Sequence, residues 1–136
     1  MRVSMSDPEQ QLHLPDRLLQ NSQRLTQTVI QITEMLCMSQ AELARILGVQ
    51  CADIGELANG KRVIETDSET WTQATRFVEV YEGLYHHNKG DGVAMRHWLR
   101  RTNSELNGVP LLLMVDENKL ETVLGYLKKH HPEKYL

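Results

Sequence analysis

The sequence predicts an all-α protein, and three observations predict it. Apolar residues recur at spacings of three and four along most of the chain, capping signals precede those stretches, and glycines and prolines fall between them. A composition of 40% apolar residues, with one Phe and many Leu, Val and Ala, fits the same class. At 136 residues the chain makes one domain or two small ones sharing a core. A half of roughly 60 residues would be marginal alone, so burial between halves or between subunits is expected.

Residues 1–15 are polar, carry Pro8 and Pro15, and lack a sustained period, which reads as a flexible N-terminal arm. From Asp16, the expected cap, Leu18, Leu25, Val29, Ile32 and Leu36 form the stripe of a long amphipathic helix whose other face carries Arg17, Gln20, Gln23, Gln27 and Gln31.

The stretch Ser39 to Arg62 is the most specific in the chain. Ser39-x-x-Glu42 is a capping box, which starts a helix near Gln40. Leu43, Ala44 and Leu47 give it a short apolar face, with Ala44 small where two steeply crossing helices must approach. Gly48 sits where a left-handed residue ends a helix without a Cβ penalty. After the turn Gly48-Val49-Gln50, residues 51–58 make a second helix with Ile54 and Leu57 inward, and Asn59-Gly60 stops it. Two short helices around a tight glycine turn are a helix-turn-helix, the unit that sets its second helix into the DNA major groove. Gln40-x-x-Leu43-Ala44-x-x-Leu47-Gly48-Val49, followed by Ile54, Leu57 and Asn59-Gly60-Lys61, resembles the Xre (phage-repressor-type) helix-turn-helix family. That resemblance implies a lambda-repressor-like bundle over residues 16–65 and sequence-specific DNA binding.

Beyond it, Thr66-x-x-Glu69 repeats the capping signal, so a connecting helix is expected within residues 66–89, starting at Thr66 or Asp67. Trp71, Ala74, Val78, Tyr81 and Tyr85 mark one of its faces and Phe77, Val80 and Leu84 a second. A helix apolar on two sides is sandwiched, between the halves or between subunits. The break from His86 to Gly92 opens a helical C-terminal domain, residues 90–136, for interaction or oligomerisation. There Asp91 caps a short helix with Ala94, Met95, Trp98 and Leu99 inward and Arg96, Arg100 and Arg101 outside. The apolar run Leu111 to Val115 precedes a last helix, expected to be capped by Asp116, with Leu120, Val123, Leu124 and Leu127 on its face. Gly125 within that helix suggests close packing of another backbone, as at a subunit contact.

Trp98-Leu99, Asn103, Leu106, Gly108, Pro110-Leu111-Leu112 and the helix after them resemble the C-terminal domain of Xre/MbcA/ParS antitoxins. In that family the N-terminal half binds operator DNA and the C-terminal half binds a toxin, often an enzyme that consumes NAD. The chain departs from the pattern at Thr102, where proline is usual, and at residues 115–118, where a glycine before the last helix is expected. Two functions therefore stand side by side, a free-standing transcriptional regulator and an antitoxin that neutralises a toxin and autoregulates its operon.

The outward positions at the start of the second helix are Gln50, Cys51, Ala52 and Asp53, with Glu56 one turn on. By the resemblance these align with base-contacting positions. Gln50 can bond adenine through two hydrogen bonds, Ala52 can touch a thymine methyl, and Asp53 or Glu56 can accept from cytosine N4. Gln40 suits a phosphate at a helix N-terminus, and Lys61 and Arg62 suit the phosphate backbone. The helix carries no cation for guanine and brings two carboxylates toward a polyanion. A module whose second helix no longer reads DNA but binds protein is the third class, supported by that acidity.

The formal charge of −3 is low for a DNA binder, so basic residues must be gathered on one face or by a second copy of the chain. A palindromic operator implies a homodimer or a dimer of dimers. Cys37 and Cys51 lack zinc or thioredoxin spacing, and His86, His87, His97, His130 and His131 read as exposed helix ends rather than ligands. Neither cofactor nor metal is expected. No phosphate loop, nucleophile with base or signal segment appears, and no apolar run approaches membrane-spanning length. A soluble, cytoplasmic, non-enzymatic protein is the expectation.

Overall fold

The computed structural model describes residues 21–131. Among these the fold is all-α, with helices α1 (Ser22–Met35), α2 (Gln40–Leu47), α3 (Cys51–Ala58), α4 (Glu69–His87), α5 (Gly92–Arg100), α6 (Pro110–Val115) and α7 (Leu120–His130). The hub is α4, which packs against α1, α2, α5 and α7. Its two apolar sides explain that role: Ala74, Phe77, Val78, Val80 and Leu84 are all buried. The buried side chains of α1 to α3 and of α5 to α7 join those of α4 in one apolar cluster. Tyr85, expected on a buried face, is 47% exposed.

Several helix starts differ from the sequence expectation, each for a local reason. α1 begins at Ser22, because the Asn21 carboxamide oxygen accepts from the Arg24 N–H at 2.9 Å; Asp16 and Leu18, like the arm at 1–15, lie outside the described residues. α4 is capped by Ser68, whose hydroxyl accepts from the Trp71 N–H at 3.0 Å, while Asp67 takes a left-handed turn with φ 63°. Asp116 does not cap the last helix but ends α6, and α7 starts after Lys119 without a side-chain cap. The run Leu111 to Val115 is itself helical because Pro110 occupies the first turn, where its missing N–H costs nothing. A Cβ on Gly125 would meet nothing within 4 Å, so among the described residues no backbone packs against that glycine. The expected cap at Asp91 does form, its carboxylate accepting from the Ala94 N–H at 3.2 Å.

The two halves of the chain are stitched by side chains that serve backbone groups at helix ends. α1 closes in a Schellman arrangement, with Met38 N–H donating to Thr33 O and Cys37 N–H to Glu34 O, and with Cys37 at φ 58° where glycine is usual. The carbonyls this leaves over are met from α5. Arg100 donates to Leu36 O and Cys37 O, both at 2.9 Å, and Arg96 to Met35 O at 3.2 Å. These two arginines therefore do not simply project outside, as the periodicity of α5 suggests. Gln73 of α4 likewise donates to Ile46 O near the end of α2 at 3.1 Å. Between α3 and α4 the chain is pinned to α1: buried Thr26 accepts from the Ile64 N–H at 2.8 Å and donates to Ser22 O at 2.7 Å.

The histidines at the ends of α4 and α7 do not behave as separate exposed termini. Nδ1 of His87 lies 2.9 Å from Nε2 of His131, and the His87 ring also meets Trp98 and His130 edge-on. The Tyr126 ring lies tilted against His130 with centroids 4.3 Å apart, and the Glu105 carboxylate lies 3.5 Å from His130 Nε2. Burial, then the neighbouring His131 and His130, holds the His87 pKa below its ordinary 6.5. A hydrogen bond between two imidazoles needs a bare nitrogen on one of them, so full protonation of the pair breaks it.

Two expected outcomes follow from these contacts. Thr26→Val keeps the shape but leaves the Ile64 N–H buried without an acceptor, and urea denaturation should register a loss of about 1–3 kcal/mol. A histidine whose folded pKa is lowered contributes stability that is complete above its unfolded value and is lost as pH falls toward the folded one. Tm should therefore decline as pH falls below about 7, and His87→Gln should flatten that decline in a thermal scan series.

Candidate nucleic-acid interface

The segment from Ser39 to Arg62 is built as its residues dictate. The Ser39 hydroxyl accepts from the Glu42 N–H at 3.1 Å while the Glu42 carboxylate accepts from the Ser39 N–H at 2.8 Å, completing the capping box that starts α2. Gly48 ends α2 at φ 74°, in the left-handed region, and the Val49 N–H donates to Ala44 O at 3.0 Å. Only Gly48, Val49 and Gln50 separate the two helices. Leu43, Ala44 and Leu47 of α2 and Ile54 and Leu57 of α3 are buried in the shared core, and both helices have their opposite faces in solvent.

Gln40 is exposed in the first turn of α2, and Gln50 is exposed at the start of α3. Behind Gln50, the Asp53 carboxylate reaches back to accept its backbone N–H at 3.0 Å. That contact fixes the first turn of α3 and places a negative charge at the positive end of the helix, where it is favourable. Cys51, Ala52 and Ala58 are exposed, and Gly55 between them has open space on its Cα. The outward surface of α3 is thus small at Cys51, Ala52, Gly55 and Ala58, with the partly exposed Asp53 and Glu56 carboxylates beside it. Both Cys37 and Cys51 are free and exposed.

Beyond Asn59, Gly60 at φ 83° turns the chain back, and Glu56 O accepts from the N–H groups of Lys61 and Arg62 at 3.0 and 3.2 Å. The reversal returns the Arg62 side chain to α3. Its Nη1 lies 3.1 Å from Asp53 Oδ1 and its Nη2 lies 3.2 Å from Glu56 Oε1. One guanidinium therefore bridges both carboxylates of the helix, a geometry the planar fork of arginine suits. Arg62, expected on a phosphate, is here turned onto its own chain, and Asp53, expected to face a base, has a donor on each oxygen. Lys61 is exposed and forms no ion pair among the described residues.

By sequence position alone Asp53, Glu56 and Arg62 are independent groups. The signal that links them is the Asn59-Gly60 turn, since a reversal after the last turn of a helix brings the following residues alongside it. Other basic residues are also engaged: Arg45 pairs with Asp116 at 3.5 Å and Arg76 with Glu121 at 2.8 Å. Arg101 is exposed.

Among the described residues, no group of three or more His, Cys, Asp or Glu side chains is arranged to hold a metal ion. No helix among them is long and apolar enough to cross a membrane. Set against known proteins, the chain matches no family model and no curated protein sequence.

Proposed function

We propose that α2, the Gly48 turn and α3 act as a helix-turn-helix, and that the protein is a sequence-specific DNA-binding transcriptional regulator of the Xre type. The observation that carries the reading is the joint geometry of capping box, left-handed glycine and three-residue turn, with Gln50 exposed at the start of the second helix. In this arrangement Gln50 reads an adenine, Ala52 touches a thymine methyl and Glu56 accepts from cytosine. Gln40 and Lys61 hold phosphates, Gln40 at the positive end of α2. A chain with net charge −3 offers few such contacts alone, so binding takes a homodimer or dimer of dimers on half-sites ~34 Å apart. The reading is of a cytoplasmic regulator without enzymatic activity, cofactor or metal.

An antitoxin role is the second reading, and it is favoured by exposed apolar side chains in the second half. Leu112 on α6 is 47% exposed and Val93 on α5 is 56% exposed, surfaces that a protein partner such as a toxin would cover. Co-purification with the product of an adjacent small gene separates the two readings.

Selection of duplexes from a random pool, followed by sequencing, tests the regulator directly; an absence of any enriched sequence would sink it. Given an enriched site, Gln50→Ala should weaken binding to it by about 1–3 kcal/mol with little effect on random duplex, measured by fluorescence anisotropy. Lys61→Ala should instead weaken binding to both duplexes and reduce the salt slope by about one phosphate equivalent.

A further inference from the structure

From the bridge between Arg62 and the two carboxylates of α3, we infer that the Asp53–Arg62–Glu56 triad is a specificity device, making the phosphate contact of Arg62 conditional on the base that Glu56 meets. The inference rests on the DNA-binding reading and concerns how that site rejects the wrong sequence. The three side chains carry two negative charges and one positive one, and the arginine touches both acids, at 3.1 and 3.2 Å. The two acids are not equivalent. Asp53 is 27% exposed on its side chain and is further held by the Gln50 N–H, so it stays with the helix. Glu56 is 46% exposed and Arg62 is 53% exposed, so these two can exchange partners with a ligand.

Against a random duplex, Arg62 has two choices. It remains on the acids and contributes nothing to phosphate binding, or it moves to a phosphate and leaves Glu56 uncompensated beside a polyanion. The second choice costs what the first withholds, so random DNA gains no contact from Arg62. A cytosine within reach of Glu56 changes the balance, because its N4 amino group donates to the carboxylate and replaces the guanidinium there. Arg62, left with Asp53 alone, can exchange that acid for a phosphate while the Gln50 N–H still serves Asp53, and a single correct base yields two contacts. This is discrimination through a penalty on the wrong partner as much as through attraction to the right one.

The test is a two-residue cycle, with Glu56→Gln, Arg62→Ala and the double variant measured on the selected duplex and on a random duplex across a salt series. Circular dichroism melts confirm that each variant is folded, and Glu56→Ala serves if the glutamine variant is not. Glu56→Gln is expected to strengthen random binding roughly five- to tenfold at 0.1 M salt and to steepen its salt slope by about 0.9, one freed cation. Arg62→Ala is expected to leave random binding unchanged and to weaken the selected site. In the Arg62→Ala background the gain from Glu56→Gln should largely vanish. An equal gain in both backgrounds means simple removal of a repulsive charge and overturns the device, as does an unchanged salt slope. A wild-type protein that enriches no duplex overturns the DNA-binding reading itself, a result independent of the cycle.

Discussion

Helix α1 ends with more carbonyls than its own segment can satisfy, and the donors that complete it come from more than sixty residues away. The Schellman bonds of Met38 and Cys37 serve two of them, and Arg96 and Arg100 on α5 serve three more. This end stays exposed at Met35 and Cys37, and the arginines both serve its acceptors and tie α5 to the end of α1. Their positive charge also faces the negative end of the α1 dipole. Cys37 adopts a left-handed backbone that a residue with a Cβ tolerates at some cost, and both its carbonyl and the one before it are gripped by Arg100. The segment that leads into Ser39 and α2 is thereby set from the C-terminal side.

The helical class, the face of each helix and most of the chain order were legible from periodicity, because one stripe on each helix had to be buried and that stripe is written at spacings of three and four. The glycine at 48 and the box at Ser39 were legible for a different reason: both act within four residues, so nothing distant can override them. Starts with competing caps were less legible. Thr66, Asp67 and Ser68 stand side by side, and any of them can cap; the choice falls to Ser68 once Asp67 is spent on the turn. Asp116 looked like a start because it precedes an apolar stripe, yet three residues of loop separate it from α7. The His87–His131 contact joins residues at the ends of two helices and leaves no pattern in either one.

The candidate interface was legible as a scaffold and much less so as a charge distribution. A formal count treats every arginine alike. Arg45, Arg62 and Arg76 each sit on carboxylates, which reduces the field a polyanion meets. Arg96 and Arg100 keep their full charge but have donors occupied by backbone carbonyls, so they attract at a distance without being free to grip. Lys61, Lys89, Arg101 and Lys129 are exposed cations, and none of them is on a carboxylate among the described residues. Counting residues therefore overstates the direct contacts available, a consequence of tertiary partners that composition does not record.

The small outward face of α3 has one further consequence, which concerns disorder rather than charge. Ala52, Gly55 and Ala58 have no side-chain rotamers to lose, and Cys51 has few. A surface of long side chains gives up conformational freedom when it docks, whereas this one is already as ordered before contact as after it. It also lets the helix axis come nearer to whatever it meets. Docking through α3, as proposed, would be governed by backbone shape and by two adaptable side chains, Gln50 at its start and Glu56 in its last turn.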